Sequence, residues 1–289
     1  MIIRRTKLLP ENIGVIVAGY PLEPATVVAK ECLRRGFRVS RFALATDDIG
    51  EERLHHITDL GSVRVVKTSG SDARSKLEVE IAEMQKEGLF VVVADTTENV
   101  KNVDLYNAVR VPFVLQCKEA ESLIRAIKQT EASKSFAVIS GHMDKWLASF
   151  DVCWAEWSKR FAGIFDEYDF EFKSSSPLDT PVSLMTSFSE LVNKDFGTHQ
   201  IKDMEKTEQA KLGFGPSHLT RKFTFKNRLG TSAFSFCQSV DDKEAYAGGM
   251  ADSIIFLAQK AHRTARPQVY SIIDVAEQNQ FLMSGAVPS

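Results

Sequence analysis

The chain has 289 residues, 44% hydrophobic and 26% charged, enough to bury a sizeable core in one large domain or two ordinary ones. Thirty-six Lys and Arg against 38 Asp and Glu leave a net charge of −2, which gives no global attraction to nucleic acid or an anionic membrane. Cys32, Cys117, Cys153 and Cys237 form no C-x-x-C pair and have no His at ligand spacing, so separate reduced thiols and no metal are expected.

No apolar run reaches the roughly 18 residues of a membrane span, so no transmembrane segment is expected. The start, MIIRRTKLLPENIGVIV, shows no targeting peptide, and an organelle presequence removed upstream is compatible with it.

Residues 13–18 are a short apolar run ending in Gly19, and residues 25–35 carry apolar side chains at helical spacing, closed by Gly36: a βα unit. Residues 37–45 read as a second strand. Residues 72–87 read as a helix with Leu77, Ile81 and Met84 on one face. Gly88 ends it, and residues 89–94 form a continuous apolar run, as in strands buried on both faces of a parallel sheet. A helix over 102–109, a strand over 112–115, a helix over 119–130 and a strand over 136–139 follow. This alternation predicts an α/β fold with a Rossmann-like, doubly wound parallel sheet.

The grammar changes near Gly141. A helix over 145–161 carries Trp146, Phe150, Trp154 and Trp157, and residues 220–225 and 231–238 alternate as two antiparallel strands about a turn at 227–230. Helix returns over 251–261, and residues 269–275 follow. The division expected is a nucleotide-binding-type domain at 1–139 completed by 246–289, with an inserted α+β domain at 140–245.

The blocks VDLYNAVRVPFVLQC, KSFAVISGHMDKWLASF and FAGIFDEYDFEF, with the closing YAGGMADSIIFLAQKAHRTARPQVYSIIDV, give a chain that resembles plant-type dihydrodipicolinate reductase over roughly residues 13–282. The resemblance implies a nucleotide domain, an inserted domain with the substrate site and oligomer contacts, and hydride transfer from a nicotinamide nucleotide to a cyclic dihydrodipicolinate. It also locates the site.

A dinucleotide fold needs glycines after its first strand, so that amides at the helix N-terminus approach the pyrophosphate. Here Gly19 alone remains. Pro21 and Pro24 remove donors, and Glu23 adds a negative charge, although proline suits a first helical turn. The family's second cofactor loop, rich in Gly and Thr, reads Gln116-Cys117-Lys118-Glu119-Ala120. The loop of Asp95, Thr96, Thr97 and Glu98 stays closer to the family, so Gly19, Asp95 and Thr96 are the cofactor-binding candidates; Thr96, Thr97 or Asn99 also suits a helix cap.

In the segment matching the family's catalytic run, Lys173 stands at its His and Pro177 at its substrate-binding Lys. Asp179, Val182 and Ser183 follow, with Val182 at the glycine of the carboxylate site. Gln238 and Ser239 replace a His-Asn pair, and Lys243 replaces an Arg, losing the planar fork that grips a carboxylate. His218 matches a family loop His, while His55, His56 and His142 read as structural.

The expectation is a non-catalytic relative with no cofactor, working through protein partners in a multi-subunit complex or homo-oligomer. The surface proposed for contact is residues 173–181 with the exposed side of the tryptophan helix. The alternative is an NAD(P)H-dependent reductase with a rebuilt site, using Lys173 as acid and Arg34, Arg35 or Arg41 for an NADP phosphate; a small-anion sensor is the third reading. The resemblance suggests plastid or mitochondrion, with the cytoplasm open.

Overall fold

The computed structural model describes residues 8–45, 53–57, 60–68, 72–117, 120–130, 134–141, 143–160, 167–174, 219–226, 232–240, 243–264 and 266–284. The chain divides into two compact units, residues 1–143 with 246–278 and residues 144–245 with 279–289.

In the first unit, β1 (Ile13–Tyr20) is buried at all eight positions, which is why its sequence is apolar without alternation. α1 (Glu23–Arg34) takes Pro24 in its first turn and ends at Gly36, whose φ of 85° lets Phe37 N reach back to Cys32 O at 3.0 Å. β2 (Arg38–Ala45), β3 (Arg53–Ile57), β4 (Gly61–Lys67), α2 (Ala73–Lys86), β5 (Phe90–Asp95), α3 (Asn102–Val109), β6 (Phe113–Gln116), α4 (Ala120–Thr130) and β7 (Ala137–Ser140) follow, and β11 (Val269–Tyr270) completes the sheet.

The strand order is β11-β7-β6-β5-β1-β2-β4-β3, parallel except for β3, which pairs antiparallel with β4. The doubly wound parallel sheet read from the sequence is therefore present. Ile16 and Ala18 of β1 join a core with Leu77, Ile81 and Met84 of α2, Val103 and Tyr106 of α3, and Ile127 of α4. Val15 and Val17, one step off along the strand, are equally buried on the opposite face.

β3, β4 and β8 (Glu167–Ser174) are among the elements that the sequence did not reveal. β3 and β4 lie in a stretch left unassigned. β8 was taken only as a site segment, although its polar-aromatic alternation is a strand signal. The helix expected over 251–261 runs instead as α6 (Lys243–Arg263), through Gly248 and Gly249. Packing decides this. A Cβ at Gly249 would lie 1.5 Å from Met143 O, so glycine is what lets the helix reach that backbone. α7 (Ile272–Ser284) begins with a reciprocal cap, Ser271 N donating to Asp274 Oδ2 at 2.7 Å and Asp274 N to Ser271 Oγ at 3.5 Å.

The second unit joins α5 (Lys145–Arg160) to an antiparallel sheet ordered β10-β9-β8, with β9 (Leu219–Lys226) central and β10 (Ala233–Val240) beside it. Its cross-strand rows alternate. Tyr168, Phe225 and Phe234 share one row, and Asp169, Thr224 and Ser235 the next, where the Thr224 and Ser235 hydroxyls meet at 2.9 Å. Trp154 of α5 stacks on Phe225 at 5.4 Å, and both are buried. Trp157 meets Trp154 edge-on at 4.8 Å and Phe234 at 6.3 Å. Trp154 is thus core of this unit. Burying each such ring contributes about 1.5–3 kcal/mol.

Gly249→Ala is expected to destabilise the protein by about 3 kcal/mol or more, because backbone on both sides must move. Thermal unfolding monitored by circular dichroism checks it. Gly36→Ala, where a Cβ meets nothing but φ is positive, is the milder reference.

Candidate functional site

Strand order reverses between β1 and β5, and an open α/β sheet binds ligands in the crevice at such a switch point. Here the strand ends meet directly. Thr96 puts two donors on one carbonyl: its N at 3.1 Å and its Oγ1 at 2.9 Å from Ala18 O. Gly19 has φ 115°, and a Cβ on it would fall 2.1 Å from Thr96 Oγ1. The glycine retained from the family pattern is therefore explained by contact with Thr96.

The turn into α1 continues this pattern. Leu22 N donates to Gly19 O at 2.9 Å, the Tyr20-Pro21 peptide is cis, and Pro21 and Pro24 have no N–H. Glu23 stands exposed in the first helical turn, where its charge suits the helix dipole and opposes a phosphate. A diphosphate needs several converging amides, and these residues do not fit one.

Asp95 is fully buried at the end of β5. Its Oδ1 accepts from Thr97 N at 2.7 Å, and its Oδ2 from Asn102 Nδ2 at 2.9 Å and Tyr106 Oη at 2.6 Å. Burial, then the Asp95 charge, push the Tyr106 phenol well above its ordinary pKa. Burial, with Asp95 and Glu98, does the same to Tyr246 of α6. The sequence reading found Asp95 and missed Asn102 and Tyr106. Their i, i+4 spacing on α3, one polar and one phenolic on an otherwise apolar face, was the available signal.

Thr96, Thr97 and Asn99 do not cap α3 as anticipated, since its N-cap position is Lys101, without a side-chain cap. Thr97 Oγ1 accepts from Asn99 N at 3.1 Å, and Asn99 Oδ1 from Lys101 N at 3.1 Å, so these side chains brace the loop before the helix. Of the arginines suggested for an NADP phosphate, Arg35 donates to Glu31, to Asp252 and, at 3.2 Å, to Gly248 O, tying α1 to α6. Arg34 pairs with Glu31 at 2.7 Å. These hydrogen bonds, Arg34 first, hold the Glu31 carboxyl below its ordinary pKa. Arg41 is exposed on β2.

In the second unit, Lys173 lies in the row of Thr220 and Ser239, whereas Gln238 lies in the next row, with Arg221 and Phe172. Adjacent rows of a pleated sheet belong to opposite faces. Lys243 begins α6. Pro177, Asp179, Val182, Ser183 and His218 lie outside the described residues, as do Lys118, Glu119, His142 and the 227–230 turn. Among the described residues, no group of three His, Cys, Asp or Glu is placed to hold a metal ion, and no cysteine is in a disulfide.

No family model matches the chain. The 4-hydroxy-tetrahydrodipicolinate reductase 2, chloroplastic, of Arabidopsis thaliana is 28% identical over 220 residues, which are 72% of this chain and 63% of that protein. Reductase 1, chloroplastic, of the same plant is 26% identical over 224 residues, 74% of this chain and 64% of that one. The match thus spans less than two thirds of either relative. Among solved structures, the dipicolinate-bound dihydrodipicolinate reductase of Paenisporosarcina sp. TG-14 aligns with TM-score 0.52 at 13% identity, covering 91% of this chain and 98% of that one, a likeness of fold.

Two buried tyrosines of the first unit give opposite expectations. Tyr106→Phe removes a donor to buried Asp95 and should cost about 1–3 kcal/mol. The Tyr20 hydroxyl is buried without a hydrogen-bond partner, so Tyr20→Phe should be neutral or stabilising by about 1 kcal/mol. Urea unfolding of both variants is the check.

Proposed function

Taking the chain as a member of the dihydrodipicolinate reductase family, as its two plant relatives and its sheet architecture support, we propose that it is a non-catalytic member. It serves as an accessory subunit or assembly factor of a larger protein assembly. The observation that carries this reading is the joint loss of the residue types that the family uses at its site. Lys173, Pro177, Val182 and Gln238 stand where the resemblance puts a His, a Lys, a Gly and a His. Proton transfer and carboxylate binding have lost their side chains together, Pro177 being unable to replace a carboxylate-binding Lys.

The two plant relatives carry a chloroplastic name, and we assign this chain to the plastid on that ground. Among the described residues, no helix is long and apolar enough to cross a membrane.

The tagged full chain, recovered from its native source, is expected to elute well above monomer mass with protein partners. A free monomer there would remove the accessory reading. The purified chain is also expected to give no turnover of dihydrodipicolinate with NADH or NADPH, and Lys173→His alone to restore none, because groups that act as a unit fail together. Measurable turnover by the unmodified chain would favour a reductase with a rebuilt site using Lys173 as acid.

A further inference from the structure

A dinucleotide-binding α/β unit keeps three things at its switch point: space beside the first-loop glycine, amides at the following helix, and no opposing charge. The first unit falls short on each of the three. The space that glycine leaves open at position 19 is occupied by Thr96 Oγ1, 2.1 Å from where a Cβ would stand. The Leu22 amide is used within the turn, and the two prolines contribute none. Glu23 is exposed in the first turn of α1.

The obstruction is also anchored. Thr96 Oγ1 cannot swing aside without giving up its bond to Ala18 O, and the backbone bond of Thr96 N to the same carbonyl holds the residue in place. The residue before it, Asp95, is held by Thr97 N, Asn102 Nδ2 and Tyr106 Oη, and displacing it would strand a buried carboxylate. Arg35, a candidate for a 2′-phosphate, is engaged by Glu31, Asp252 and Gly248 O.

We infer that the end of β5 seals the crevice from within, so that this Rossmann-like unit binds neither NADH nor NADPH. The inference deepens the accessory-subunit reading but can fail separately, since a subunit that assembles with partners can still bind a nucleotide. The test titrates the full chain with NADH and with NADPH by calorimetry, with melting temperature as a second readout. The expected result is no saturation by about 1 mM and a melting shift under about 1 °C at that concentration. Half-saturation below that concentration with either nucleotide, or a larger rise in melting temperature, overturns the inference and leaves the co-purification result untouched.

Discussion

The first unit is organised around one carbonyl, Ala18 O, which receives both the backbone N and the hydroxyl of Thr96. That double contact joins the ends of β1 and β5, the strands flanking the reversal of strand order. It requires a glycine at 19, because any side chain would enter the Thr96 hydroxyl. It also sets the start of the Asp95 to Asn102 loop, whose polar side chains then bond to one another and to Tyr106. Below it, apolar side chains on both faces of β1 hold the sheet between its helices.

The same economy governs α6. Its two adjacent glycines read as helix breakers, yet the helix passes through them because Gly249 packs on Met143 O and Arg35 bonds to Gly248 O and Asp252 of the same helix. Features that a dinucleotide enzyme would direct at a ligand, namely glycines, a basic side chain and a buried carboxylate, are here engaged with the chain itself. Packing and hydrogen bonding account for each of them.

Much of the fold was legible where a single physical rule dominates. The uninterrupted apolar runs of β1 and β5, the i, i+4, i+7 face of α2 and the glycine stops at 36 and 88 located the parallel sheet from periodicity alone. β8 shows the alternation Glu-Tyr-Asp-Phe-Glu-Phe of a strand, but its polar positions are charged and half of it overlaps the segment matching the family's catalytic run, so period and chemistry compete in the same residues. The site was legible in composition only. Which side chains are missing could be read from the sequence, but Gly19 was taken as a possible phosphate contact, since no local pattern shows that a threonine 77 positions on closes over it. The pairing of Lys173 with Thr220, and of Thr220 with Ser239, likewise depends on register, which no single strand shows in its own sequence.

Native-state hydrogen exchange at the Thr96 amide tests the closed seam most directly, because an amide exchanges only when its hydrogen bond opens. If the ends of β1 and β5 are sealed, Thr96 exchanges as slowly as Val93 within the strand, and Thr96→Ala speeds it selectively. Exchange of Thr96 at the rate of an exposed loop amide in the unmodified protein would show an open crevice and contradict the closure.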